Sequence, residues 1–409
     1  MGGRTVADMN PQGERRTAEQ VLPQGSEPPE RTEQRLGERA RSAETAGGGG
    51  SRSGGTGSAG AARGTGDAGT AGGVADPGAV RRRAERRGRR IAAGATELEQ
   101  RLADLLRGGL ATADRAGYGA WDETAARMVD AQAPGLGARV RELGAIPSSG
   151  PGWPARLLEE CALTHLLNQG FLHLDSLPEE LAATTRSRVG VTTPVAELLA
   201  HGQPVRDHWL VLGGQDSEDD KLTTRRIWLR GRTTGRMALL LSFGAAGRSP
   251  DPALPPGLVL DADLVYYPGT RPLRAALGTS CPPAAAAEAP AGAWVPDGGG
   301  IDAALAAYGE ALSADPWLEG WPVVLSGVTP VPGADGWQLA DETAGTALPV
   351  DPRCLGRTNL WQLTAISGGR PVTVFGTCGH RGITPLTTWD PEPVPLAIGS
   401  GPTSYGGTR

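Results

Sequence analysis

The sequence predicts an α+β protein: a disordered N-terminal head, a helical segment, and a mainly antiparallel β-rich domain with one inserted helix. Three observations support this. The first 75 residues are poor in large apolar side chains. The residues that follow carry apolar positions at helical spacing. From Val205 onward, short apolar runs alternate with Gly and Pro. Because the helices precede the strands, the order favours α+β over a βαβ arrangement.

Residues 1–75 form the predicted disordered head. Residues 47–73 are almost wholly Gly, Ser, Ala, Thr and Arg. Ordering a backbone costs roughly 1–2 kcal/mol per residue, and this composition buries too little apolar surface to offset that cost. At the other end, residues 400–409 are predicted to be a frayed tail.

Residues 76–203 form the predicted helical segment. Asp76-Pro77 is a helix-start signal. Ile91, Leu98 and Leu102 then share one face of a helix predicted over 81–110. Similar apolar stripes predict further helices at 121–133, 136–143, 154–169, 178–185 and 194–199.

Residues 204–399 form the predicted β-rich domain. Its first strands are expected at 205–213, 225–231, 236–243 and 258–267, and residues 281–300 read as an exposed loop. A helix is predicted over 301–314. Later strands are expected at 322–328, 336–340, 360–367 and 371–375. A last strand at 394–398 is confined to a sheet edge, because Pro395 lacks the backbone donor.

Charge, hydropathy and cysteine usage limit the classes of function that the sequence could have. The net charge of −5 favours no polyanionic partner for the chain as a whole. No segment has the ~20 apolar residues that a membrane helix needs, and no hydrophobic signal segment is visible. Four scattered cysteines suit a reducing compartment: Cys161, Cys281, Cys354 and Cys378. We therefore expect a cytoplasmic protein that does not contact membranes.

Two Cys/His pairs are candidate metal ligands. Cys378 and His380 could clip one zinc ion, but a structural zinc site needs about four ligands. A polar turn between two strands is the preferred interpretation. Cys161 and His165 lie four residues apart on a predicted helix, where a packed cysteine and a hydrogen-bonded histidine are expected. No cofactor is predicted.

Two acidic groups are candidate sites. Residues 216–220 could hold a cation loosely, but a solvated hairpin tip is preferred. Asp261 and Asp263 are two apart on a strand and so face one side. Paired carboxylates could support hydrolysis. Alternatively, Arg271 and Arg274 of the next strand could pair with them across the sheet.

One predicted hairpin concentrates positive charge beside a tryptophan. Its candidate binding residues are Arg225, Arg226, Trp228, Arg230, Arg232 and Arg236. Arginines with an exposed tryptophan could contact a nucleic-acid backbone and stack on bases, or could dock a protein. The arginine-rich run at 81–90 is a second basic patch.

Several long patterns resemble the bacterial SWIM zinc-finger family. Residues 121–143 are similar to the helical region of that family, and residues 222–236, 262–268 and 367–374 are similar to later parts. Together they lie between residues 76 and 396. The resemblance implies binding of nucleic acid or protein.

The zinc site that names the family, Cys-x-Cys…Cys-x-His, precedes the helical region in family members. No Cys or His occurs before Arg81 here. We therefore assign no metal ligand and expect sub-stoichiometric zinc. The chain is expected to correspond to the C-terminal portion of the family, as a truncated, split or mis-started product.

These observations predict a non-catalytic scaffold or adaptor that binds a protein partner through the arginine/tryptophan hairpin. The first alternative is a nucleic-acid-binding module that uses the same hairpin and residues 81–90. The second is a hydrolase that uses Asp261 and Asp263.

Overall fold

A computed structural model describes residues 77–110, 113–218, 222–245, 250–280, 294–333, 336–354 and 358–396. The predicted disordered head, the frayed tail, most of the predicted loop at 281–300, and Asp219, Asp220 and Cys281 lie outside the described residues. The α+β class is confirmed, because helices come first and antiparallel-rich sheets follow.

The helical segment contains longer and shorter helices that pack around one core. They are α1 (Pro77–Gly108), α2 (Ala113–Asp130), α3 (Pro134–Ala145), α4 (Trp153–Leu172), α5 (Glu179–Val189) and α6 (Val195–His201). Ile91, Leu98, Met128, Val140 and Leu157 meet in one buried core. The predicted stripe through Ile91, Leu98 and Leu102 is thus a face that packs, whereas Val129, Leu158 and Leu166, which were also predicted to face the core, are exposed. None of the helices in the described ranges is long and apolar enough to cross a bilayer.

Five strands form a closed barrel after the helices. They are β1 (Pro204–Glu218), β2 (Leu222–Gly231), β3 (Met237–Ala245), β4 (Val259–Tyr266) and β5 (Arg274–Ser280), in the order β1-β2-β3-β5-β4. Neighbouring strands are antiparallel except β3 and β5, which run parallel. Trp209, Ile227, Leu229 and Leu264 fill the interior, where the Trp209 indole donates a hydrogen bond to the Ala262 carbonyl at 3.0 Å.

A second, six-stranded sheet packs on the barrel. The strands of this sheet and the two helices that accompany it are, in chain order, α7 (Ile301–Ala314), β6 (Trp321–Gly333), β7 (Gly336–Asp341), β8 (Thr346–Pro349), α8 (Thr358–Ser367), β9 (Val372–Gly379), β10 (Gly382–Asp390) and β11 (Glu392–Pro395). The strand order is β11-β10-β9-β6-β7-β8. One face of this sheet packs against α7 and α8, and the other face packs against the outside of the barrel.

Three predictions in this half were wrong or incomplete. The predicted strand at 360–367 is helix α8. Leu360 and Leu363 are buried one helical turn apart, a spacing that a short apolar run does not distinguish from a strand. Strand β10 was missed because it contains Pro385, and proline disfavours a strand interior. In the structure, a bulge between Pro385 and Thr387 accommodates this proline. The four-residue strand β8 was missed as well. The predicted edge strand appears at the sheet edge as β11.

Trp317 joins the helical segment to the second sheet. It lies between α7 and β6 but is 5% exposed within the core of the helices. Its indole donates a hydrogen bond to the Leu163 carbonyl at 2.9 Å. Nearby, the Nε atom of Arg188 on α5 donates to Asp315 at 3.1 Å. The core of the helices is therefore completed by a side chain from outside the helical segment.

Candidate binding surface

The β2–β3 hairpin presents two faces with different surroundings. Ile227 and Leu229 point into the barrel. Arg226, Trp228 and Arg230 alternate with them and lie on the outer face, opposite Leu241, Leu239 and Met237 of β3. Directly opposed residues of an antiparallel pair share a face. The predicted arginine/tryptophan hairpin therefore exists, and three of its six candidate residues lie on the outer face of the barrel.

The predicted exposure of Trp228 was wrong. Its side chain is only 4% exposed. The Trp228 ring lies 6.0 Å from the ring of Phe375 on β9, at an interplanar angle of 59°. Leu210, Val324 and Leu386 complete this contact. The second sheet must bury its own apolar face, and the outer face of the barrel is what covers it.

Arg225 is held inside the molecule. Its guanidinium pairs with Asp216 at 2.7 Å and donates to the Pro250 carbonyl at 2.6 Å. The hydrogen bond to Asp216 raises the pKa of Arg225 and outweighs the opposing effect of burial. Asp216, the first residue of the predicted acidic hairpin tip, therefore neutralises the charge of Arg225.

The three arginines nearest the turn also have intramolecular contacts. Arg230 donates to the Asp297 carbonyl. The guanidinium carbon of Arg232 lies 5.6 Å from the ring centroid of Trp294. That of Arg236 lies 4.0 Å from the ring centroid of Tyr266. Cations over aromatic faces are attracted by the ring quadrupole, so these side chains brace one end of the barrel.

Asp207 fixes the turn that carries these arginines. Its carboxylate accepts hydrogen bonds from the backbone N–H groups of His208 at 2.7 Å, Thr233 at 3.0 Å and Thr234 at 2.9 Å. The Thr234 hydroxyl donates at 2.8 Å. Burial alone would raise the pKa of Asp207, but these donors lower it to about 2. Asp207 was not among the predicted site residues, although a charged residue within an apolar strand is a signal that the sequence carries.

Among the residues that the structure describes, those of the second sheet do not cover the far half of the hairpin's outer face. Phe243 is 54% exposed there and lies opposite Thr224. Arg226 lies opposite Leu241 and donates to the Ser217 hydroxyl at 2.7 Å. We call Thr224, Arg226, Leu241 and Phe243 the free barrel face. Phe243 was missed as a binding candidate because an apolar residue in a strand is usually part of a core.

Asp261 and Asp263 pair with Arg206 of β1. The distances from the guanidinium to the carboxylates are 2.8 Å for Asp261 and 3.4 Å for Asp263. The expected partners were wrong, because β1 rather than β5 brings an arginine beside these positions. Arg271 instead pairs with Glu310, and Arg274 lies over Tyr267. The two carboxylates form a partly exposed charged surface.

The candidate metal ligands do not converge. His380 lies in the turn between β9 and β10, as predicted, and accepts a hydrogen bond from Arg381 at 3.2 Å. Burial raises the pKa of the Cys378 thiol. Burial and then Glu160 raise the pKa of Cys161 to about 11. His165 lies 2.6 Å from Glu99. In the ranges that the structure covers, no three His, Cys, Asp or Glu side chains form a group suited to a metal.

The bundle of helices joined to a barrel and a second sheet defines a multi-layer α+β scaffold. Within it, residues 86–189, from α1 to the end of α5, match the SWIM-associated four-helix bundle domain. Residues 86–189 are therefore similar to a SWIM-associated domain, and this match supports the resemblance found in the sequence. No curated protein and no solved structure matches the chain.

Proposed function

We propose that the chain is a non-catalytic scaffold that binds a protein partner on the free barrel face. One observation carries this proposal: Phe243 is 54% exposed on a face whose other half is already packed against a sheet. Fully burying a phenylalanine side chain is worth about 1.5–3 kcal/mol. Aromatic residues, phenylalanine included, and arginine are enriched in protein interfaces relative to the rest of the surface.

The charge around this face favours a protein over a nucleic acid. Glu218 is exposed at the end of β1, on the strand next to this hairpin. Its carboxylate repels phosphates but attracts basic side chains. Of the six residues predicted for the binding surface, Arg226 keeps that role. Trp228 and the other four arginines support the fold.

A pull-down with the full chain tests this proposal. The wild type is compared with Phe243→Glu and Arg226→Glu, and retained proteins are identified by mass spectrometry. Leu305→Glu on α7 is the matched control, because it also replaces a partly exposed apolar side chain (43% exposed). We expect one set of proteins to be lost with the two barrel variants and kept with the control. Equal recovery from all four proteins would rule out this surface.

The second candidate function is binding of a nucleic-acid backbone by the arginines at the start of α1. Those with exposed side chains are Arg81, Arg82, Arg83, Arg86, Arg89 and Arg90. Like charges one helical turn apart cost about 0.2–0.5 kcal/mol per pair, and a polyanion relieves that repulsion. The five-stranded barrel is a second reason to consider this function. Five-stranded Greek-key barrels of the OB-fold type bind oligonucleotides on the face of strands 2 and 3.

Salt dependence separates the two candidates. Nucleic-acid binding requires retardation of a single-stranded oligonucleotide at ~50 mM salt that weakens steeply as salt rises. It also requires loss of that retardation in the triple variant Arg82→Glu/Arg86→Glu/Arg89→Glu. No retardation by the wild type would remove this candidate.

The cytoplasmic location expected from the cysteine usage stays a prediction.

A further inference from the structure

Helix α4 carries a row of apolar side chains on its exposed side. Leu158 and Leu166 are 49% and 46% exposed, and Ala162 between them is exposed as well. Residues four apart are neighbours on one helix face, so the three side chains form one row. The core of the helices uses a different side of α4, through Leu157 and Cys161. Adjoining apolar side chains on a surface, unlike isolated ones, indicate a contact with another molecule.

The row is symmetric about Ala162. A leucine lies four residues before this alanine and another lies four residues after it. When two copies of a helix pair antiparallel around a two-fold axis at Ala162, position 162 − n of one copy lies level with position 162 + n of the other. Leu158 then meets Leu166 of the second copy on both sides of the axis. The small alanine at the centre lets the helices reach the interaxial distance of about 8–10 Å found in helix bundles.

The charged residues beside the row follow the same symmetry. Glu159 lies three positions before Ala162 and His165 lies three positions after it, and both are exposed. The pairing therefore brings the Glu159 carboxylate of each copy level with the His165 ring of the other.

The His165 ring is placed to use this second carboxylate. Its Nδ1 atom lies 2.6 Å from a carboxylate oxygen of Glu99. Its side chain is nevertheless 57% exposed, and in the imidazolium form both ring nitrogens are donors. Nε2 can therefore donate to Glu159 of the second copy. Seven residues from the axis, Ala155 lies level with the uncharged Gln169 of the second copy, so these pairings bring no like charges together.

We propose that two copies of the chain associate through α4, with Ala162 at the two-fold axis, Leu158 packed on Leu166, and Glu159 paired with His165 of the opposite copy. A second copy fits this face better than a foreign helix. A foreign helix requires no matching apolar and charged positions on both sides of Ala162, whereas an isologous contact does. The row belongs to the helical segment and not to the free barrel face, so this inference does not depend on the proposed function.

Sedimentation equilibrium of the full chain tests the association. One helix face is a small interface, so we expect the wild type to dimerise at concentrations between ~1 µM and ~1 mM. Ala162→Arg should raise the dissociation constant at least about a hundredfold, because it places two like charges together at the axis. Ala306→Arg is the matched control, since Ala306 is also an exposed alanine within a helix, α7, and it should dimerise like the wild type. A wild type that stays monomeric, or an Ala162→Arg variant that dimerises as readily as the wild type, would overturn the proposal.

Disulfide formation locates the two-fold axis. Ala162→Cys should link the copies on oxidation, because a disulfide requires Cα atoms within about 7 Å. Ala155→Cys lies on the same exposed face, but its two copies would stand about 21 Å apart along the helices, at 1.5 Å per residue, and should not link. The wild type measures any background from the native cysteines. Equal linkage at both positions, or none at position 162, would show that α4 does not meet its own copy in this register and would contradict the proposal.

Discussion

Trp228 and Phe243 lie on the same outer face of one hairpin, and their surroundings differ because the second sheet reaches only one of them. Trp228 meets Phe375 and is buried, whereas Phe243 remains half exposed. Asp207 shows the same dependence on neighbours. A lone carboxylate in an apolar strand is costly unless donors surround it, and the turn at Thr233 and Thr234 supplies them. At the scale of residues, function and stability follow from what a side chain faces.

Asp207→Asn should weaken the fold most at neutral pH. The carboxyl has a pKa of about 2 in the folded protein, against an ordinary value of 3.8. A lowered pKa contributes stability that is present above the ordinary value and is lost as pH falls through about 4 to 2. We expect the variant to unfold about 1–2 kcal/mol more easily near pH 7, with the difference shrinking as pH falls toward 2. Urea unfolding at several pH values measures this, and a difference independent of pH would contradict it.

The burial of Trp228 and the exposure of Phe243 were not predictable from the sequence. Alternation along β2 and β3 indicates which residues share a face, but not which part of that face another sheet covers. The ion pair between Arg206 and Asp261 was also missed, because strand order in the barrel decides which arginine arrives there. Residue-scale contacts between distant segments require the fold.

At the scale of elements, long periodic helices were the most predictable part. The stripe through Ile91 and Leu98 in α1 spans several turns, and the predicted helix at 301–314 coincides with α7. Short elements were less predictable. Helix α8 and strand β10 each depend on a few residues whose periodicity is ambiguous or interrupted by proline. Packing against the sheet decides their conformation.

Gly190→Ala should destabilise the protein through the junction between α3 and α5. Gly190 ends α5 with a φ of 105°, a conformation that strains a residue with a Cβ atom. An added Cβ would also lie 2.7 Å from Pro134. We expect a loss of about 1–3 kcal/mol, measured by thermal or urea unfolding.

Gly309→Ala is the matched control for that substitution. Gly309 lies inside α7 with no atom within 4 Å of the added Cβ. Alanine at a helix interior is favoured over glycine by about 0.5–1 kcal/mol, so this variant should be neutral or more stable. If Gly190→Ala and Gly309→Ala lower the free energy of unfolding by similar amounts, the conformation of Gly190 at the end of α5 is not the cause.

At the scale of the whole molecule, a side chain from the second half of the chain completes the core of the helices. The region that matches the SWIM-associated bundle ends at residue 189, yet Trp317 fills part of its interior. Trp317 therefore ties the bundle to the part of the chain that leads from α7 into the second sheet.

Trp317→Ala should destabilise the helices from outside their own sequence. Removing a buried tryptophan costs about 3–5 kcal/mol, and the hydrogen bond to Leu163 is lost as well. We expect a lower unfolding midpoint and faster amide exchange in α4. Trp361→Ala is the control, since Trp361 is 64% exposed and its loss should change stability much less. Unchanged exchange in α4 would mean that Trp317 does not complete the core of the helices.

The affinity of the purified partner for Phe243→Ala tests the central claim most directly. If a protein docks on the free barrel face, this truncation should weaken binding by about tenfold or more, as expected for an interface residue worth about 1.4 kcal/mol or more. Leu305→Ala should bind like the wild type. Equal affinity of Phe243→Ala and the wild type for that partner would contradict the claim.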